Sequence, residues 1–135
     1  FLVKDRTKIV DAAGRYIGSG LHSGPKWYRY GGSKLPFICG KHDQAVIVED
    51  CASAASVSGF ATGVALLGTF LQDEALSALH GFEKITVALD KDASDKSVDI
   101  ALRLNAAYGD IVDVCLLDRD LKRLTEDEAK EVLKI

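Results

Sequence analysis

From residue 45 onward, continuous apolar runs alternate with stripes of apolar residues at helical spacing. Ala45, Val46, Ile47 and Val48 form an unbroken apolar run, the mark of a strand buried on both faces. Residues 51–58 are rich in Ala and Ser and predict a short helix packed closely on a sheet. Residues 62–67 predict a second strand, closed by Gly68 and Thr69. In 71–80, Leu71, Ala75, Leu76 and Leu79 recur at helical spacing. A third strand is predicted over 85–89 and the longest helix over 93–108, with Val98, Ala101, Leu102 and Asn105 along one side. A fourth strand follows over 111–117. Thr125 and Glu128 have the spacing of a capping box, so a last helix starts there.

The first 40 residues follow another grammar. A strand is predicted over 8–13, ending at Gly14 and Arg15. Closely spaced glycines, with Pro25 and Pro36, then break the chain into short strands and turns. Lys26, Trp27, Tyr28, Arg29 and Tyr30 interleave cations with aromatic rings. Such a stretch can stack bases and pair phosphates, or its Trp and one Tyr can fill a small core with the cations outside.

Four strands alternating with four helices predict an α/β fold: a mainly parallel four-stranded sheet with helices on both faces. A short β-rich basic segment, residues 1–44, precedes this unit at 45–135. In such sheets the ligand crevice lies at the carboxyl ends of the strands. There the sequence puts Glu49 and Asp50 after the first strand, Asp90 and Asp92 after the third, and Asp118 and Asp120 after the fourth. Three acidic clusters on one edge exceed what helix capping needs. They suit a hard cation such as Mg²⁺, which takes one or two carboxylates plus waters and phosphate oxygens.

The charge distribution reads either as part of this picture or as plain unevenness of surface charge. The net charge of −3 divides unevenly, with eight Lys/Arg against three Asp/Glu in residues 1–44 and nine against seventeen in the remainder. A basic front joined to an acidic back is the distribution needed to hold a polyanion beside a metal site. Cys39, Cys51 and Cys115 show no CxxC spacing and read as reduced thiols in a cytoplasmic setting. No apolar run reaches the ~20 residues of a membrane helix, and residues 1–6 lack a signal-peptide layout. The chain contains no Met, which leads us to expect a piece of a longer or processed protein.

A glutamate ending one strand and Asp-x-Asp ending a later one resemble the signature of the TOPRIM domain. That domain is shared by bacterial-type primases, topoisomerases of types IA and II, and some nucleases. Val46-Ile-Val-Glu49-Asp50-Cys-Ala-Ser53-Ala54 is similar to the glutamate motif of bacteriophage primases, and Leu89-Asp90-Lys-Asp92-Ala93 to the Asp-x-Asp motif. Ala65-Leu-Leu-Gly68-Thr69 is similar to the loop after the second strand, and Arg119-Asp120-Leu-Lys122 to the later Lys-Asp-Pro segment. Upstream, Gly14-Arg15 and Pro25-Lys26-Trp27 resemble the primase segment that lines a basic groove for template and nucleotide. The sequence departs from the common pattern at Asp50 (usually Gly), Ser53 (usually Asp), Ser94-Asp95 (often Ala-Gly) and Leu121 (usually Pro).

The resemblance implies a DNA primase-type nucleotidyltransferase, making RNA primers on single-stranded DNA from ribonucleoside triphosphates with Mg²⁺ or Mn²⁺. Glu49, Asp90 and Asp92 would be catalytic, and Glu49, Asp90, Asp92 and Asp120 would be metal ligands. Arg15, Lys26 and Lys34 would contact template or nucleotide. A replicative helicase would be a further partner, and the host cytoplasm the setting of a phage protein. A DNA-cleaving TOPRIM enzyme of the nuclease or topoisomerase type, or a non-catalytic nucleic-acid-binding TOPRIM module, stands as the alternative.

Overall fold

The computed structural model describes all residues except 19, 22 and 68–70. The expected loop at Gly68 and Thr69 therefore lies outside the described residues. The central strand is β5 (Gln44–Val48), whose residues Ala45 to Val48 are almost wholly buried. On either side lie β6 (Thr62–Ala65) and β7 (Lys84–Asp90), both parallel to it, and β8 (Val112–Leu117) runs parallel to β7 at the edge. These are the four strands expected from the apolar runs.

The sheet has a fifth strand that the sequence pattern did not reveal. β4 (Phe37–Cys39) pairs antiparallel with β6, so the strand order is β4-β6-β5-β7-β8. Three residues after a proline are too few to show a period, and β4 is set by pairing with a partner more than twenty residues away rather than by local pattern. β4 lies upstream of residue 45. The upstream segment also builds a three-stranded antiparallel sheet from β1 (Leu2–Asp5), β2 (Lys8–Arg15) and β3 (Trp27–Arg29).

Helices cover both faces of the main sheet. On one face, Val46 and Val48 pack with Cys51, Ala54 and Val57 of the α1 region (helix Cys51–Ser56), and with Ala129 and Leu133 of α4 (Glu126–Leu133). Val3, Ala13 and Phe37 join this same cluster, so the core of the front sheet is continuous with that of the main sheet. On the other face, Ala45, Ile47, Ile85 and Val87 meet Leu71, Ala75 and Leu79 around α2 (Asp73–Ala78), and Ile100 and Leu104 of α3 (Ser94–Tyr108). Each large apolar side chain so buried contributes roughly 1.5–3 kcal/mol before entropy is counted.

Two details fix the helices that border the site. α1 lies so close to β6 that a Cβ on Gly63 would fall 2.0 Å from the Ala54 carbonyl oxygen. Only glycine permits that approach. α3 is rotated from the expected phase, since Val98 and Leu102 are 51% and 63% exposed while Ser97, Ile100, Ala101 and Leu104 face the sheet. Ser97 tolerates burial because its Oγ donates to the Ala93 carbonyl at 3.1 Å, which removes the usual penalty for a buried hydroxyl.

Candidate functional site

Because β5, β7 and β8 are parallel, their carboxyl ends meet at one edge. Asp90 is the last residue of β7 and stands beside Leu117 of β8, so Asp118 and Asp120 emerge next to it. A short 3-10 turn (Lys91–Ala93) follows and carries Asp92. Glu49 follows β5 and is exposed. Asp50 caps α1, its Oδ1 accepting from the Ser53 backbone N–H at 2.9 Å and its Oδ2 from the Ser53 hydroxyl at 3.2 Å. Ser53 thus helps hold Asp50 in place.

The edge gathers carboxylates with unequal compensation. Lys122 Nζ donates to Asp50 Oδ2 at 2.9 Å and lies 3.9 Å from Asp120. Burial pushes the Asp50 carboxyl up, but the bonds from Lys122 and Ser53 outweigh it and hold the carboxyl below its ordinary range. Asp90 goes the other way. Burial raises it, the charges of Asp120 and Asp92 raise it further, and Lys122 only partly offsets them. Arg123 lies 3.4 Å from Asp120, and Lys91 pairs with Asp118. The uncompensated negative charge is therefore concentrated on Asp90 and its neighbours.

Four depressions share lining residues in turn and trace a path from the sheet edge to the front segment, the last two meeting only at Tyr28. Glu49, Asp50, Ser53, Asp90 and Asp120 surround a small cavity at the sheet edge. Asp90 and Asp120 also line a shallow depression with Asp92 and Asp118. Glu49 and Asp50 form one wall of a cleft of about 220 Å³, whose other wall is Ala13, Trp27, Tyr28 and Arg29. Tyr28 in turn borders a cavity of about 310 Å³ lined by Arg15 and Lys26. The sequence-derived residues Glu49, Asp90, Asp92, Asp120, Arg15 and Lys26 all lie on this path. Lys34 is exposed and lines none of these depressions. Among the described residues, no three His, Cys, Asp or Glu side chains converge closely enough to form a metal-ligand set by themselves.

Sequence reasoning assigned no role to two cations that organise the path. Lys122 was noted only for its place in a motif, although an extra acid at Asp50 is a signal that a compensating cation is needed. Arg29 donates from Nε to Asp11 Oδ2 at 2.7 Å and from Nη2 to the carbonyls of Ser33 and Leu35 at 2.6 and 3.1 Å. Asp11 Oδ1 also accepts from the backbone N–H groups of Ala12 and Gly31, at 2.7 and 2.5 Å. This buried hub fixes β2, β3 and the turn after β3 as one unit. The aromatic residues divide as well. Trp27 and Phe37 both pack against Phe1, while Tyr28 and Tyr30 point outward.

No family model and no curated protein matches this chain by sequence. Among solved structures, the crystal structure of the RNA polymerase domain of Mycobacterium tuberculosis primase DnaG superimposes with a TM-score of 0.68 at 17% identity. The match covers 98% of this chain and 53% of that one, so the chain spans about half the length of its structural neighbour. The chain thus shares the fold of that domain over the matched length, a mixed α/β arrangement on a mostly parallel five-stranded sheet. No helix among the described residues is long and apolar enough to cross a membrane.

Proposed function

We propose that the chain is the TOPRIM-containing part of a phage-like DNA primase and forms phosphodiester bonds between ribonucleotides on a single-stranded DNA template. The observation that carries this reading is the path of shared clefts, which runs from the cations Arg15 and Lys26 past Glu49 to Asp90, Asp92 and Asp120. A nucleotidyl-transfer enzyme needs that order, with a basic stretch for the polyanion leading into an acidic edge for the chemistry. The likeness in fold to a primase polymerase domain supports the same reading.

The donor set fits a hard divalent cation. It is all carboxylate oxygen, and the mutual repulsion at Asp90 is the charge excess that such an ion relieves. One or two of Asp90, Asp92, Glu49 and Asp120 would bind Mg²⁺ or Mn²⁺ directly and the others through its waters, with phosphate oxygens in the remaining positions. When bound, the ion would neutralise charge that develops on the transferred phosphoryl group. Glu49 would take the proton from the attacking 3′-hydroxyl as it bonds to the α-phosphorus, and pyrophosphate would leave. Arg15 and Lys26 would hold template or nucleotide phosphates, with Lys34 as an outlying contact. Lys122 would keep Asp50 neutralised so that it does not compete for the ion. A replicative helicase is a further proposed partner.

Primer synthesis by the full-length protein on single-stranded DNA, with ribonucleoside triphosphates and Mg²⁺ or Mn²⁺, tests this reading. Glu49→Gln should slow synthesis by roughly 10²–10⁴-fold, the usual contribution of a general base. Strand cleavage without incorporation would point instead to a nuclease.

A further inference from the structure

The two tyrosines of the front sheet have no packing duty to explain them. β3 alternates, with Trp27 and Arg29 turned inward and Tyr28 outward, and Tyr30 continues on the outer side. Tyr28 and Tyr30 are 57% and 70% exposed, yet their rings meet edge to face with centroids 5.0 Å apart. The Tyr30 ring lies against Gly14, where an added Cβ would come within 3.0 Å of the ring carbon Cε2. The absence of a side chain at Gly14 thus leaves room for the ring on the surface of β2. An exposed aromatic pair held this firmly loses little further side-chain entropy when something stacks on it.

The surroundings select the kind of ligand. Both rings border the cavity of about 310 Å³ that Arg15 and Lys26 also line. Neither cation forms an ion pair with a carboxylate among the described residues, whereas Arg29 at the end of β3 is neutralised by Asp11. The Arg15 guanidinium is held 5.9 Å from the centre of the Trp27 ring, which orders it without cancelling its charge. Open aromatic faces beside uncompensated cations match a strand that offers bare base faces and a phosphate backbone. A duplex offers the phosphates but keeps its base faces stacked within the helix.

We propose that Tyr28 and Tyr30 form a base-stacking platform that selects unpaired DNA, with Arg15 and Lys26 holding the adjoining phosphates. The proposal rests on the nucleic-acid reading above and adds to it the residues that distinguish single from double strands. Because any base presents a π-face, the platform tolerates all sequences. Tyr28 also lines the cleft that Glu49 and Asp50 border, which puts the platform next to the acidic edge.

Fluorescence anisotropy with a short mixed-sequence oligodeoxynucleotide, single-stranded and as a duplex, tests it on the whole protein. Tyr30→Ala should weaken single-strand binding by about 5- to 150-fold, the loss of one aromatic stack. It should leave the slope of log affinity against log salt unchanged, while Lys26→Ala lowers that slope by about 0.7. Tyr30→Phe should bind like wild type, and duplex binding should not respond to Tyr30→Ala. Photocrosslinking of a bromouracil-substituted strand to the unmutated protein gives a second reading, with adducts expected on Tyr28 or Tyr30. Wild-type affinity in the Tyr28→Ala, Tyr30→Ala double variant would overturn the platform, as would crosslinks confined to other regions. If the unmutated protein bound no single strand, the nucleic-acid reading itself would fall, and the platform with it.

Discussion

Lys122 Nζ sits 2.9 Å from Asp50 Oδ2 and joins the start of α1 to the 3-10 turn after β8 (Leu121–Arg123). The pair lets a second acid stand beside Glu49 without adding net charge to the edge. Both side chains are mostly shielded from water, so the pair is worth more than an open surface bridge. Lys122→Met should destabilise the fold by about 1–2 kcal/mol, between the exposed and buried cases. Lys122→Met combined with Asp50→Asn should recover part of that loss. Urea unfolding of the two single variants and the double variant gives the coupling directly. Strict additivity of the two single changes would show that the ion pair contributes nothing.

The Asp11–Arg29 hub should make the front sheet acid-sensitive. Burial raises the Asp11 carboxyl, but the Ala12 N–H, the Arg29 guanidinium and the Gly31 N–H together hold it below the ordinary range. A carboxyl lowered by folding adds stability above its unfolded value, near pH ~3.9, and loses that contribution as pH falls through the lower folded value. Asp11→Asn should therefore cost about 3–5 kcal/mol at neutral pH, the cost of leaving Arg29 without its counter-ion. The gap between variant and wild type should stay level down to pH ~5 and narrow in more acid solution. Denaturant midpoints across that range check both the size and the sign.

Gly63 and Ala54 offer a steric test of how α1 is seated. The atoms that a Gly63→Ala methyl would meet are backbone, at 2.0 Å for the Ala54 oxygen and 2.6 Å for its carbonyl carbon. A helix must move, since no side chain can swing away. Gly63→Ala should cost about 1–3 kcal/mol or more and displace Asp50 and Ser53 along with α1. Gly59→Ala is the control, because its nearest neighbour is the Glu126 carboxylate at 3.8 Å. It should change stability by less than about 0.5 kcal/mol. Thermal unfolding of both variants separates the two cases.

How much of this was legible depended on whether the information was local. The unbroken run at Ala45 to Val48 announced a doubly buried strand and became β5. The Thr125 and Glu128 spacing announced a helix start, and both reciprocal capping-box bonds are present. Parallel strands then carried Glu49, Asp90 and Asp120 to one edge, as the alternation of elements implied. The phase of α3 was not legible, because the buried Ser97 satisfies its own hydroxyl and the apolar Val98 and Leu102 are left outside. β4, the Asp11–Arg29 hub and the Lys122–Asp50 pair were also hidden. Each joins residues far apart in sequence, and no local period encodes such a meeting. The same reason explains why Lys34, grouped with Arg15 and Lys26 by sequence, does not line their path in space.

The central claim is that the carboxylates at the sheet edge perform nucleotidyl transfer while the front segment holds the strand. The most direct measurement is template-dependent ribonucleotide incorporation by the full-length protein carrying Asp90→Asn and Asp92→Asn together, with single-strand affinity measured on the same preparation. The account predicts that incorporation falls to background while the single strand still binds through the Arg15 and Lys26 side. Incorporation at the wild-type rate would contradict it.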